Sequence, residues 1–191
     1  MARSGGWFSM QGMAAFAGGA ALAVIASRLL PPLVAQMAGT ARASAGRDPF
    51  DALADDHRHI LALLSEMVRT PIDATVRRTQ LLLRLKRRLA AHAVAEEDVV
   101  YPMLRDDAHL DEDARRLYGE HAEMKMHLFA LERMAKDDPR WLAVAHELKH
   151  VVTEHIRQEE TVDFPSLRRA LDERAVVSLS GNVAREKALL L

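Results

Sequence analysis

The sequence predicts an all-α protein, an antiparallel up-down four-helix bundle with an apolar N-terminal segment. Between residues 48 and 172, apolar residues recur with the period of an α-helix in four stretches of about 20–30 residues each. Short connections separate the stretches, as in bundles whose successive helices run antiparallel. Each stretch carries one histidine within its apolar stripe. These four histidines are His57, His92, His121 and His155.

The first two helices carry clear signals for where they begin and end. Asp48 and Pro49 are typical of an N-cap followed by a first-turn proline, and the first helix should stop before Pro71. The second should begin near Asp73. Pro102 should kink or end it, because proline lacks the amide hydrogen that a helix interior requires.

The other two helices complete the bundle domain, residues 48–172. The third should begin near Asp111, and Asp138-Pro139 should open the fourth. Residues 173–191 form a short C-terminal tail for which the sequence predicts no structure.

Composition excludes several classes of function. The chain has 191 residues and no cysteine, which excludes disulfides, thiolate metal sites and cysteine-ligated iron–sulfur clusters. Its formal net charge is −1, so no large positive field favours nucleic acid, and we expect no nucleic-acid partner. Nine histidines are a high count for this length.

The N-terminal segment, residues 1–47, is rich in Ala, Gly and Met and contains few charges. No charged residue lies between Arg3 and Arg28, so a single membrane helix over about residues 5–27 is long enough to span a bilayer. Arginines follow this run within the segment, whereas only Arg3 precedes it. The positive-inside tendency would then anchor the protein with its bundle in the cytoplasm.

Two alternatives for this segment stay open. A secretory signal would use Ala43-Ser44-Ala45 as its cleavage site, although Pro31 and Pro32 lie between the apolar run and that site. A peripheral N-terminus would instead belong to a soluble cytoplasmic protein.

Six polar residues occupy the predicted core faces. Two of them, Glu96 and Glu159, follow His92 and His155 by four residues, and positions i and i+4 project from the same helix face. Burying unpaired charged groups is costly, so six such residues together need a common partner. A metal would neutralise the carboxylates and satisfy the imidazoles. The predicted metal ligands are His57, His92, Glu96, His121, His155 and Glu159.

The donor types narrow the choice of metal. Imidazole and carboxylate without thiolate suit iron, manganese or zinc. Four histidines and two glutamates exceed the ligand set of one structural zinc but suit two six-coordinate ions. Two bridging carboxylates, four imidazoles and one shared oxo or hydroxo group would leave about two positions open, where a small diatomic or peroxide ligand could bind.

The fourth helix also contains H-E-x-x-H, a zinc signature of metalloproteases. Helical phase places His146, Glu147 and His150 away from the core stripe, so the zinc metalloprotease alternative would require a site on the solvent-facing side. Phase and position predict that the remaining histidines are solvated, namely His59, His109, His127, His146 and His150.

The order of core-facing residues is a histidine, then H-x-x-x-E, then a histidine, then H-x-x-x-E. Over about residues 48–172 this order resembles the hemerythrin-like (HHE cation-binding) family. The resemblance implies an up-down four-helix bundle around a non-haem di-iron centre with oxo or hydroxo and carboxylate bridges. The ligands that it implies are the terminal His57, His92, His121 and His155, and the bridging Glu96 and Glu159.

Lys125 departs from the family's oxygen carriers, which have a second histidine four residues after the third-helix histidine. An ammonium group cannot ligate, so one iron should lack a ligand, which disfavours reversible oxygen carriage. We hypothesise that Lys125 steadies a bound anion, and the alternative is a lysine that extends to solvent. Tyr118 is expected to be an ordinary core tyrosine, and the alternative is that it supports the site or ligates the metal. Glu97 and Glu160 are back-up ligands.

The resemblance implies a protein that binds or senses a small oxidant, such as oxygen, nitric oxide or peroxide. Two alternatives stay open, an iron storage, donation or sensing protein and a di-iron enzyme that acts on peroxide or nitric oxide. The sequence identifies no protein partner.

Overall fold

The computed structural model describes residues 30–45 and 48–190, and the regular structure in these ranges is helical. The helices, in chain order, are α1 (30–44), α2 (Pro49–Met67), α3 (Thr75–Ala95), α4 (Tyr101–Asp106), α5 (Asp111–Arg133), α6 (Trp141–Gln158), α7 (Phe164–Ala170) and α8 (Glu173–Leu190). Two π-helical turns, Glu96–Val100 and Glu159–Asp163, join α3 to α4 and α6 to α7.

The four long helices α2, α3, α5 and α6 form the predicted bundle. α2 packs against α3 and α6, and α5 packs against the same two helices, so the four close a ring. α3 continues through a π turn into α4, and short connections then join the successive long helical segments, as in an up-down bundle. The prediction of an antiparallel up-down four-helix bundle is confirmed.

Of two helix starts predicted from capping residues, one is observed at the predicted position and the other is not. The Asp48 side chain caps α2 as predicted, because its Oδ1 accepts a hydrogen bond from the Phe50 amide at 2.9 Å. The sequence predicts the fourth bundle helix from Asp138, but α6 begins at Trp141. Asp138 closes the preceding turn instead, where its Oδ1 accepts from the Arg140 amide at 2.8 Å.

Both π-helical turns lie directly before a helix with proline in its first turn. Pro102 and Pro165 lack an amide hydrogen, and in a regular helix each ring would clash with the carbonyl four residues earlier. The wider turn accommodates the proline while the helix continues, and this is the form of the kink predicted at Pro102. Val162 in the second turn is 43 % exposed, whereas Val99 in the first turn, against which α8 packs, is 7 % exposed.

α8 is the main element that the sequence did not predict. The tail expected over residues 173–191 contains an 18-residue helix. Val176, Leu179 and Val183 bury its apolar face against α2, α3 and the π turn that follows α3. A single short amphipathic stretch is a weak signal in sequence, because most of the stability of such a helix comes from tertiary packing.

α1 lies against α8 at close range. Ser180 donates a hydrogen bond from Oγ to the Gly39 carbonyl at 2.8 Å. A Cβ added at Gly181 would lie 2.6 Å from Thr40 Cγ2, and a Cβ at Gly39 would collide with the Ser180 carbonyl. The two glycines therefore permit an approach of the two backbones that a larger residue would prevent.

The apolar core has two parts. The first includes Leu53, Tyr101, Leu104, Phe164 and Leu179. The second includes Ile60, Leu85, Met124, Trp141 and Val152. On α2, His57 follows Leu53 of the first part and precedes Ile60 of the second, so the polar residues lie where the two parts meet.

None of the helices in the described part of the chain has the length and apolar character of a membrane span. The membrane helix predicted at about residues 5–27 lies outside the described residues. Of the predicted signal cleavage site, Ala43 and Ser44 form the last residues of α1 and Ala45 lies in the turn that follows.

Candidate metal centre

The structure brings the six predicted metal ligands together where the two core parts meet. Each long helix contributes one histidine, and each π-helical turn begins with one of the two glutamates. All six residues are at most 4 % exposed. They are His57 on α2, His92 on α3, His121 on α5, His155 on α6, and Glu96 and Glu159 on the turns.

The six residues form two groups, each of which could hold a metal ion. The first group is His57, His92, Glu96 and Glu159, and the second is Glu96, His121 and His155. In each group the donor atoms lie within 4.8 Å of one another. Glu96 belongs to both groups, so its carboxylate lies between them.

Each glutamate faces one histidine from each group. Glu96 Oε2 lies 3.2 Å from His92 Nε2 and 3.5 Å from His121 Nε2. The corresponding distances from Glu159 Oε2 are 3.3 Å to His57 Nε2 and 3.2 Å to His155 Nε2. This is the placement that carboxylates need if they bridge two ions held in the core of a helical bundle.

Several donor atoms in the cluster lack hydrogen bonds. Among the described residues, the buried atoms without a hydrogen-bond partner include His57 Nε2, His92 Nε2, Glu96 Oε1 and Glu159 Oε2. Buried polar atoms are nearly always paired, because leaving one unpaired costs about 1–3 kcal/mol. Nitrogen and oxygen atoms that converge without partners are suited to a cation, so these residues fit a metal centre.

Carboxylates also lie behind the histidines, on the side away from the cluster, and we call Asp56, Glu97, Glu120 and Glu160 the outer carboxylates. Three of them pair with the Nδ1 atom of a histidine whose Nε2 faces the cluster. The pairs are His57 with Glu160 at 2.8 Å, His121 with Glu97 at 2.9 Å, and His155 with Glu120 at 2.7 Å. Such bonds fix the tautomer and the orientation of a ligating imidazole.

The outer carboxylates correct the predictions for Glu97 and Glu160 and decide between the two alternatives for Lys125. Glu97 and Glu160, predicted as back-up ligands, lie behind the rings and orient them. Lys125 Nζ contacts Glu97 Oε1 at 2.6 Å, and the lysine side chain is 59 % exposed. The ammonium group therefore extends outward, where it cannot steady an anion in the cluster. The hydrogen bond with His121 and the charge of Lys125 hold the pKa of Glu97 below its usual value.

Asp56 is the outer carboxylate behind His92, and its contacts differ from those of the other three. Its Oδ2 lies 3.7 Å from His92 Nδ1, too far for a hydrogen bond. Arg88 lies 3.2 Å from Oδ1, and Lys187 of α8 contacts Oδ2. Burial raises the pKa of Asp56, but the neighbouring His92 and Lys187 outweigh burial and lower the pKa to about 2.

The glutamates of the cluster act on the histidines of the metal-free chain. Burial lowers the pKa of His57 and His155, but the adjacent carboxylates outweigh it and raise each pKa to about 10. A protonated imidazole has no free lone pair, so a metal that binds these two residues must displace protons.

Tyr101 is a candidate functional residue that the sequence analysis missed. Its side chain is fully buried, and Oη donates to Glu159 Oε1 at 2.9 Å and lies 3.0 Å from His121 Nε2. Burial and the nearby glutamates raise the pKa of Tyr101 well above its usual value, so the phenol keeps its proton. Tyr118 is 40 % exposed and donates to the Glu97 carbonyl at 2.6 Å, so it is not a core tyrosine.

An internal repeat in the sequence identifies Tyr101 in retrospect. Residues 92–105 and 155–168 share the pattern H-x-x-x-E-E-x-V-x-[YF]-P-x-L-R, so the two π-helical turns have one local design. Phe164 takes the place of Tyr101 in the second copy, and its ring stacks on His57 with centroids 5.9 Å apart. The cluster is therefore asymmetric, with a phenol beside His121 and an apolar ring beside His57.

The remaining histidines lie away from the cluster. His59, His109, His146 and His150 are exposed as predicted, whereas His127 is partly buried. Neither of the two ligand groups found in residues 30–45 and 48–190 includes His146 or His150. The H-E-x-x-H motif forms no metal site there, and the zinc metalloprotease alternative has no support in the structure.

Comparison with known proteins identifies the family. A family model described as the hemerythrin HHE cation binding domain matches residues 35–167. This match covers well over half of the chain, which belongs to the hemerythrin HHE cation-binding domain family. The resemblance inferred from the order of histidines and glutamates is confirmed.

Two curated relatives match part of the chain. A DNA nickase from Nostoc sp. is 29 % identical over 121 residues, which cover 63 % of this chain and 34 % of that protein. An uncharacterized hemerythrin-like protein from Schizosaccharomyces pombe is 29 % identical over 103 residues, which cover 52 % of this chain and 50 % of that protein. The matched region thus spans between a third and a half of each relative.

A solved structure supports the fold. The crystal structure of a hemerythrin HHE cation binding domain-containing protein from Mycobacterium kansasii aligns with a TM-score of 0.64 and 22 % sequence identity. The alignment covers 75 % of this chain and 88 % of that chain.

Proposed function

We propose that this chain is a non-haem di-iron protein that binds or senses a small oxidant, such as oxygen, nitric oxide or peroxide. The observation that carries the proposal is the sharing of Glu96 between two groups of buried metal ligands. A carboxylate between two donor sets is suited to bridge two ions. Nitrogen and oxygen donors without thiolate favour iron, with manganese and zinc as alternatives.

The number of donors leaves room for an external ligand. Two six-coordinate ions have about twelve positions, and four imidazoles with two bridging carboxylates fill about eight of them. Lys125 points outward and adds no donor on the side of His121. Iron held in this way would supply redox chemistry and exchangeable positions for a small molecule.

Tyr101 would supply the polar contact for that molecule. Its Oη lies within the cluster between Glu159 and His121, and burial keeps the phenol protonated. It can therefore donate a hydrogen bond to a ligand on the side of His121 once its single O–H turns from Glu159 Oε1 toward that ligand. Phe164, at the equivalent place in the second repeat, offers no donor beside His57. We therefore expect the external ligand to bind on the Tyr101 side.

The same phenol favours a second candidate, a di-iron enzyme that acts on peroxide or nitric oxide. Iron held there would supply the electrons for reduction of either molecule, with an external reductant to renew them, and Tyr101 Oη is a hydrogen-bond donor inside the cluster that can orient the molecule. Steady-state turnover of peroxide or nitric oxide by the iron-loaded protein would distinguish the enzyme from a binding protein. The name of the Nostoc relative supports no DNA-cleaving activity for this chain, because the matched region covers only 34 % of that protein.

Metal analysis combined with an optical spectrum of the full chain tests the proposal. We expect about two irons per chain and the charge-transfer absorption of a bridged ferric pair. His155→Ala should lose iron, whereas His150→Ala, the same change on the exposed face of the same helix, should retain it. One zinc per chain, or no iron after expression in iron-rich medium, would contradict the proposal.

A further inference from the structure

His92 is the least constrained of the four candidate histidine ligands. The other three have Nδ1 within 2.7–2.9 Å of an outer carboxylate, whereas His92 Nδ1 lies 3.7 Å from Asp56 Oδ2. Within the described residues, neither ring nitrogen of His92 has a hydrogen-bond partner. An imidazole whose Nδ1 lacks a partner is held less firmly in the orientation that a metal requires.

The contacts of Asp56 explain this difference. Arg88 contacts Oδ1 at 3.2 Å, and Lys187 contacts Oδ2, the oxygen that would otherwise serve His92 Nδ1. An ammonium forms a stronger hydrogen bond with a carboxylate than a neutral imidazole does, because both partners carry a full charge. Lys187 and His92 therefore compete for one oxygen atom.

Lys187 belongs to α8, which lies beyond the residues 35–167 that match the family model. Leu179 and Val183 bury the apolar face of α8 in the first core part, and this docking directs Lys187 toward α2. Its side chain is only 19 % exposed, although lysine is usually solvated. The contact with Asp56 thus depends on a helix added to the four-helix bundle.

We propose that Lys187 is a positioning residue, which draws Asp56 away from His92 and leaves His92 as the least firmly oriented ligand. The docking of α8 thereby lowers the affinity for metal of the ligand group that contains His92. The effect on metal affinity rests on the proposed function, whereas the position of Asp56 can be tested without metal.

Crystal structures of the metal-free protein test the positioning step. In Lys187→Met, Asp56 Oδ2 should move to a hydrogen-bond distance of about 2.7–3.2 Å from His92 Nδ1. Lys187→Arg should keep the two atoms apart, because it preserves the charge. Arg174→Met, which removes an exposed charge from the same helix, should leave Asp56 in place. A distance that stays near 3.7 Å in a folded Lys187→Met protein would overturn the proposal.

Iron release to a competing chelator tests the consequence for the metal. Partners of ligating residues typically change metal affinity by about 10–100-fold, so Lys187→Met should slow release by about tenfold. Combining Lys187→Met with Asp56→Asn should add nothing to Asp56→Asn alone, because the carboxylate through which Lys187 acts is gone. Equal slowing in both backgrounds would show an effect of charge alone and would refute the positioning role.

Failure of this inference can be separated from failure of the proposed function. A wild-type chain that takes up no iron contradicts the di-iron function, and the metal-free distance then decides the role of Lys187. An iron-loaded Lys187→Met protein with unchanged release contradicts the role of Lys187 and leaves the di-iron function intact.

Discussion

Six polar side chains on otherwise apolar helix faces distinguish this bundle from one that is held together by packing alone. They could be found from sequence because H-x-x-x-E places its two residues on one helix face, a relation that depends only on local geometry. Tyr101 could not be found in this way. In a regular helix, a residue five positions after Glu96 would lie about 140° around the axis from it. The π-helical turn removes much of that offset and brings Oη to the ligands.

The role of Tyr101 leads to a prediction about ligand binding. Tyr101→Phe should still take up iron, since all six histidine and glutamate residues of the two ligand groups remain in place. Loss of a buried hydrogen bond to an anionic ligand should weaken azide binding by about tenfold, equivalent to about 1.4 kcal/mol. Titration of the iron-loaded protein with azide, followed by absorption, measures this change.

Tyr118→Phe is the matched control, because it removes the same hydroxyl from an exposed tyrosine whose ring lies 5.1 Å from that of Tyr101. Azide affinity should be unchanged in that variant. Equal affinities for wild type and Tyr101→Phe would rule out a hydrogen bond from Tyr101 to the ligand.

The raised pKa values of His57 and His155 predict how the stability of the metal-free protein depends on pH. Each pKa is about 10 in the folded chain, against 6.5 in the unfolded chain. A raised pKa stabilises the folded state fully below the unfolded value, and this stabilisation is lost as the pH rises toward 10. The melting temperature of the metal-free protein should therefore fall between pH 7 and pH 10.

Iron loading provides the control for this pH dependence. Ligating imidazoles are neutral at their metal-binding nitrogen, so the iron-loaded protein should show a weaker dependence over the same range. A metal-free melting temperature that rises toward pH 10 would contradict the assignment of protonated histidines beside the glutamates.

Among the helices, those with long periodic apolar stripes were predicted from sequence, whereas α8, which depends on packing against distant parts of the chain, was not. The four long helices have apolar stripes long enough to be recognised, and the Asp48 cap is a local signal. The phase change at Pro102 and Pro165 is not visible in a 3.6-residue period, so the inward position of Tyr101 was not predictable from that period. α8 was missed because its stability depends on contacts with distant parts of the chain.

Two glycines provide a matched test of helix packing. Gly119 lies on the exposed face of α5, away from the helix ends, and a Cβ added there would contact no other atom. Gly119→Ala should therefore raise the free energy of unfolding by about 0.5–1 kcal/mol. Gly39→Ala makes the same change in α1, but the new Cβ would collide with the Ser180 carbonyl and should weaken the contact between α1 and α8. Urea denaturation of both variants measures the two effects. If Gly39→Ala stabilises as much as Gly119→Ala, α1 does not pack on α8 as described.

At the scale of the whole molecule, two apolar core parts are joined across a layer of buried charge. Glu96 and Glu159 are fully buried and close to each other, so in the metal-free chain the protonated His57 and His155 and the hydrogen bond from Tyr101 to Glu159 offset their charge. A metal that binds the folded chain but not the unfolded chain adds its binding free energy to stability. The centre should therefore act as a structural link between the two core parts.

This coupling predicts that iron removal destabilises the fold. The iron-loaded protein should have a melting temperature several degrees above that of the chelator-treated protein, as calorimetry can measure. His150→Ala should show the same difference as wild type, because His150 is exposed and outside the cluster. Identical melting temperatures with and without bound iron would contradict a metal centre that joins the core.

The most direct test of the central claim is anomalous X-ray diffraction at the iron absorption edge from crystals of the iron-loaded protein. A two-metal centre should give two anomalous peaks in each chain, one beside His57 and His92 and the other beside His121 and His155, with the Glu96 carboxylate between them. A single peak, a signal at the zinc edge alone, or a peak at the exposed His146 and His150 would contradict it.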